Sequence, residues 1–139
     1  MEPESKATTP VNRFTSGVRS NKGIGPVKRF ATAKEAYNDS YNDIWSKFNG
    51  KSSWVTPDIT LASYISRYAP KEDNNDPASY SSHMVNYLNK QLGKTLITKD
   101  STLSSIKDAL SAAGLNPEHT ITKAHLAMED PKVLKELNI

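Results

Sequence analysis

A chain of 139 residues with 36% hydrophobic and 24% charged residues and a mean hydropathy of −0.63 is polar yet able to bury one core, and it is short for two ordinary domains. The absence of cysteine excludes disulfides and thiolate metal sites, and no apolar run approaches the roughly 20 residues that cross a bilayer. The net charge of +3 is unevenly spread: Lys6, Arg13, Arg19, Lys22, Lys28, Arg29 and Lys34 against Glu2 and Glu4 give the first 34 residues +5, leaving −2 for the rest.

The start, Met1-Glu2-Pro3-Glu4-Ser5, lacks the basic-then-apolar layout of a signal peptide. From Lys6 to Arg29 no helical period survives, because Gly17, Gly23, Gly25 and Pro26 interrupt every run. The expectation is an extended basic arm over residues 1–29 ahead of a helical domain over residues 30–139. Such an arm suits nucleic acid, an anionic polymer or an acidic protein surface; the plain alternative is a solvated leader.

Thr32-Ala33-Lys34-Glu35 fits a capping box, and Tyr37, Tyr41, Ile44, Trp45 and Phe48 follow at helical spacing, so a helix with an aromatic core stripe is expected up to Gly50. Thr56-Pro57-Asp58 reads as the start of a second helix bearing Ile59, Ala62 and Ile65, which must stop at Ala69 because Pro70 disfavours helical geometry before it. Asp76 caps a third helix from Pro77 to about Leu92, closed by Gly93. Asp100 or Ser101 is expected to cap a fourth, carrying Leu103, Ile106 and Leu110 and ending at Gly114. A fifth begins near Asn116-Pro117 or Thr120, and Asp130-Pro131 opens a short terminal helix with Val133, Leu134 and Leu137. Thr95-Leu96-Ile97-Thr98 reads as a short strand for which no partner is evident. The predicted fold is mostly α, a single compact multi-helix domain.

His83, His119 and His125 are too scattered for a local metal motif, and neither a serine nucleophile elbow nor a phosphate loop is present, so no metal and no cofactor are expected. Trp54, outside the helices, is the candidate aromatic near a polymer groove, with anchoring of its loop as the ordinary alternative. Glycoside cleavage needs a carboxyl group kept protonated by a partly apolar setting. Glu129 follows Ala124-His125-Leu126-Ala127-Met128 and has such neighbours; a helix-capping or solvated acid is the alternative role.

Arg67-Tyr68-Ala69-Pro70, Glu72, Asn74-Asn75-Asp76 and Tyr80 resemble the central signature of a family of phage and prophage virion proteins described as structural proteins with a lysozyme- or transglycosylase-like, peptidoglycan-degrading domain. Phe30 ahead of a helix, and Ala124 five residues before Glu129, match further parts of that pattern. The family's Asn-Asn-Pro-Gly-Asn start falls on Thr8-Thr9-Pro10-Val11-Asn12, which keeps the proline and the last asparagine, and Glu129 precedes Asp130-Pro131 where the family has Asn-Gly or a similar turn. The resemblance implies a lysozyme-like fold, Glu129 as the catalytic acid, and Asn12 and Trp54 as substrate-binding residues. It implies a virion protein that otherwise resides in the cytoplasm of the host bacterium, with peptidoglycan or other virion proteins as partners. The alternative is a non-catalytic virion component whose basic arm contacts the genome or a neighbouring subunit.

Overall fold

The computed structural model describes residues 12–21, 24–70 and 75–139. Among them the element order is β1 (Phe14–Asn21), β2 (Ile24–Phe30), α1 (Ala33–Phe48), α2 (Leu61–Tyr68), α3 (Pro77–Leu92), α4 (Leu103–Ala112), α5 (Pro117–Glu129) and α6 (Pro131–Leu137). The protein is therefore mostly helical with one small two-stranded sheet. The chain clusters into two compact units, Met1–Asp43 with His125–Ile139, and Ile44–Ala124. No helix among the described residues is long and apolar enough to cross a membrane.

In the first unit, much of the segment expected to be an extended arm is paired instead. β1 and β2 form an antiparallel hairpin with Phe14 opposite Phe30 and Thr15 opposite Arg29. Periodicity failed to show it because the strands are irregular: register shifts fall between Thr15 and Arg19 and again between Arg19 and Asn21, and such bulges spoil the alternation by which a strand is read. The first four residues of β1 are buried, while most of β2 is exposed. Phe14 packs with Ala33, Ala36, Leu126 and Val133, and Phe30, Tyr37, Leu134 and Leu137 lie against that cluster. Residues 1–11 of the expected arm, including most of the Thr8-to-Asn12 motif, lie outside the described residues.

α1 begins with the reciprocal capping box. The Glu35 backbone N–H donates to Thr32 Oγ1 at 3.2 Å and the Thr32 N–H donates to Glu35 Oε1 at 3.2 Å. Its buried face, however, is Ala33, Ala36, Ser40 and Ile44, not the expected aromatic stripe. Tyr37 and Tyr41 flank that face half-buried, and Trp45 is 44% exposed. Small side chains let the helix approach its neighbours closely, which turns the bulky rings to the flank.

The second unit is built on α2, α3 and α4. Thr60, not Thr56, caps α2, and Thr102, not Asp100 or Ser101, caps α4. The two caps face each other as an antiparallel bridge. Leu61 N–H donates to the Ser101 carbonyl and Leu103 N–H to the Ile59 carbonyl, each at 2.9 Å, so both cap residues are held extended and each helix starts only after its cap. α3 follows its sequence signals: Asp76 Oδ1 accepts from the Ser79 N–H at 3.1 Å, Pro77 opens the first turn and Gly93 ends the helix.

Thr95–Thr98 forms no strand. Asn89 of α3 takes the place of a partner strand: its Oδ1 accepts from the N–H groups of Leu96 at 2.9 Å and Ile97 at 2.7 Å, while its Nδ2 donates to the Ile97 carbonyl at 2.9 Å. One carboxamide thus satisfies three backbone groups that would otherwise be left to water. Ile97, held this way, is buried.

Candidate active site

Glu129 is the last residue of α5. That helix starts where Asn116 Oδ1 accepts from the His119 N–H at 2.8 Å ahead of Pro117, and it buries Ile121, Ala124 and Leu126. It must end at Glu129, because Pro131 pushes Asp130 out of helical geometry, to φ −159 and ψ 84.

Asp130 is buried, and both of its carboxylate oxygens accept from backbone amides. Oδ1 takes the Lys132 N–H at 3.3 Å as the cap of α6, and Oδ2 takes the Thr15 N–H of β1 at 3.0 Å. Lys132 adds a second tie, donating from Nζ to the Arg13 carbonyl at 2.9 Å. The junction between α5 and α6 therefore holds the entry to β1.

From that anchor the strand is set residue by residue. Thr15 Oγ1 donates to the Lys28 carbonyl at 2.6 Å and accepts from the Gly17 N–H at 3.1 Å, while the Val18 N–H turns to Ser16 Oγ at 3.1 Å. Gly17 and Val18 thus direct their amides to neighbouring hydroxyls within the irregular part of the strand, and Gly17 adopts φ +80. The Glu129 side chain lies over this glycine. A Cβ built at position 17 would overlap Glu129 Cγ and stand 2.8 Å from Cδ. The half-buried carboxylic side chain of Glu129 thus occupies the space that any other residue at 17 would fill.

Tyr37 and Tyr41 belong to the same unit, with ring centroids 6.0 Å apart and planes inclined by 28°. Burial, with a smaller contribution from Tyr41, pushes the Tyr37 hydroxyl up to about 12. Lys28 Nζ pairs with Asp39 Oδ1 at 3.2 Å across the hairpin and α1.

The other expected site residues are Asn12 and Trp54. Asn12 is exposed on the chain entering β1. Trp54 belongs to the second unit, where it stacks on Tyr64 at 5.7 Å beneath the Arg67 guanidinium at 4.6 Å. Tyr64 stacks in turn on Tyr68, which meets Tyr80 edge-on at 5.9 Å. The Arg67-Tyr68 pair and Tyr80 of the central motif are therefore parts of an aromatic ladder that fastens the Trp54 loop to α2 and α3. A cavity of about 1240 Å³ also lies in the second unit, lined by Ser66, Asn75, Ser82, Asn86, Thr95 and Lys99 among others. Among the described residues no three His, Asp or Glu side chains gather to hold a metal ion.

Gly17 and Asp130 are the residues of this arrangement that sequence reasoning missed. Asp130 was visible as a helix cap, but its second oxygen reaches a residue 115 positions away, and nothing local signals that. No family model, curated protein or solved structure matches this chain.

Proposed function

We propose that this protein cleaves the glycan strand of peptidoglycan, with Glu129 as the acid. The observation that carries the reading is the placement of Glu129: a half-buried carboxylic acid at a helix end, laid over a glycine whose bulge leaves room for it. Glycan cleavage needs a carboxyl group that delivers a proton to the leaving oxygen, and Glu129 is assigned that role. In the cleavage step, the Glu129 carboxyl donates that proton to the glycosidic oxygen as the bond from that oxygen to the sugar's C1 breaks. A hydroxyl of the same sugar, or water, then bonds to C1 and returns its proton to the Glu129 carboxylate. Asp130, although adjacent in sequence, is committed to two backbone amides and acts as a positioning residue.

The family resemblance supports the choice of peptidoglycan and of a phage particle as the place of action. A genome-binding arm draws less support, because cations of the hairpin are engaged locally: Arg19 donates to the Gly25 carbonyl at 2.7 Å and Lys28 pairs with Asp39. The deciding experiment is dye release from labelled cell-wall sacculi. The native chain should release dye and Glu129→Gln should be slower by about a hundredfold or more, the usual contribution of a general acid. No release by the native chain, or equal release by the variant, sinks the reading.

A further inference from the structure

The cavity of about 1240 Å³ in the second unit takes no part in the catalytic reading, and every described residue that lines it falls between Ala62 and Lys99, inside that unit. It is a groove with three walls. One is the face of α3 that carries Ala78, Ser82, Asn86 and Asn89, and another is the stretch of α2 with Ala62 and Ser66. The third is Thr95–Lys99, which straps one helix to the other: Asn89 holds it at Leu96 and Ile97, and the Lys99 carbonyl accepts from the Ala62 N–H at 2.9 Å. Ser66, Ser82, Asn86 and Thr95 are exposed, so hydroxyl and carboxamide groups border the groove, while half-buried Val85 and buried Ile97 give it an apolar floor.

We propose that this groove binds an extended peptide of about five residues with small side chains, of the kind that branches from the glycan of peptidoglycan, with its free carboxyl end at Lys99. The volume exceeds the roughly 300–1,000 Å³ of small-molecule sites, which suits a length of chain. From Ala78 to Asn89 the α3 wall runs about 17 Å at about 1.5 Å per residue, the span of about five extended residues at about 3.3 Å each. None of the described lining residues is aromatic, so the groove offers no face on which a sugar ring or a base could stack. The small side chains of Ala62, Ser66, Ala78 and Ser82 instead let a peptide backbone come close, and its amide groups, like the hydroxyls and carboxamides around them, both donate and accept. Among the described lining residues the charges are Asp76, at the start of α3, and Lys99, on the strap. One cation is too little for a phosphate backbone but enough to orient a chain that ends in a carboxylate. Lys99 pairs with Asp100 at 3.2 Å, both largely exposed, and such a pair yields readily to another carboxylate. The choice of a peptidoglycan peptide rests on the glycan-cleaving reading, while the groove uses residues other than Glu129.

The test is calorimetric titration of the full chain with the pentapeptide L-alanyl-D-γ-glutamyl-L-lysyl-D-alanyl-D-alanine, which should bind and saturate. Ser82→Tyr, which fills the groove from an exposed position, should weaken binding by about tenfold or more. Ser111→Tyr, at an exposed position of α4 away from the groove, should bind as the parent does, with far-UV circular dichroism unchanged in both. Lys99→Gln should weaken binding about two- to fivefold, as should amidation of the peptide's carboxyl end, and the two changes together should weaken it no more than either alone. The assignment is overturned if the pentapeptide does not bind, if Ser82→Tyr binds it as tightly as the parent, or if the effects of Lys99→Gln and of amidation add. It is also overturned if a β-1,4-linked N-acetylglucosamine hexamer displaces the peptide, since the groove would then be a sugar site. The two readings fail separately. Absent pentapeptide binding, with dye release still dependent on Glu129, removes the peptide groove alone; binding that is lost in Ser82→Tyr, with release independent of Glu129, removes the catalytic role alone.

Discussion

A methyl group at position 17 has nowhere to go. The φ of +80 is costly for any side chain, and the Cβ would drive into the Glu129 side chain, whose backbone is fixed by the α5–α6 junction. Gly17→Ala should therefore destabilise the fold by about 1–3 kcal/mol in urea titration, in the range for a non-glycine residue forced into this region. It should also reduce dye release beyond what the lost stability explains, because Glu129 must swing aside. A Gly17→Ala chain with native release per folded molecule would show that the placement of Glu129 is not what matters. Glu129 itself was legible as an acid with apolar neighbours in sequence, whereas its glycine was not, since the pairing that brings them together is built from Asp130, Thr15 and Lys132 and spans most of the chain. A second residue, His119, carries the acid sensitivity of α5. Burial first, then the Lys123 charge, lowers its pKa below the ordinary 6.5. Above that ordinary value the imidazole is neutral in both states; below it the unfolded chain takes up a proton that the folded chain resists. Stability should fall as pH drops below about 6.5, and His119→Gln should flatten that slope in urea midpoints; an unchanged slope would remove His119 as its source.

At the scale of elements, the legible boundaries are those whose chemistry is local. Thr32 with Glu35, Asp76 with Pro77, and Asp130 with Pro131 each place a cap and a constraint within a few residues, and the helices begin where those signals stand. Thr32→Ala should cost about 1 kcal/mol by removing the Glu35 N–H partner, measured by thermal or urea unfolding, and Thr32→Ser should restore most of it. The misplaced starts of α2 and α4 have the opposite cause. Thr56-Pro57 is a sound local start signal, but the backbone around Thr60 pairs with that around Thr102, and two non-local hydrogen bonds delay the helix by four residues. Thr95–Thr98 failed as a strand for a related reason: its partner is a side chain, Asn89, which no strand pattern reveals. Asn89→Ala should leave the Leu96 and Ile97 amides and the Ile97 carbonyl without their partner and lower stability by about 1–3 kcal/mol in urea titration. Faster hydrogen exchange at Leu96 and Ile97 should accompany that loss, and unchanged protection there would contradict the assigned role.

At the scale of the whole molecule, the division into two units falls inside α1 and α5, not in linkers. A helix is propagated cooperatively, one hydrogen bond per residue fixed, so melting one part of it exposes the end of the remainder. Neither unit can then unfold without fraying helices that the other uses. Leu126→Ala tests this coupling. Leu126 is fully buried in the first unit, in the cluster with Phe14, Ala33, Ala36 and Val133, and truncating it should cost about 2–5 kcal/mol. Both tryptophans, Trp45 and Trp54, lie in the second unit and report its unfolding by fluorescence. If the shared helices join the units into one cooperative system, the fluorescence midpoint should fall together with the far-UV circular dichroism midpoint, by the same amount. A fluorescence transition that stays in place while part of the dichroism transition moves to lower denaturant would mean that α1 and α5 break at the boundary and that the two units carry separate stabilities.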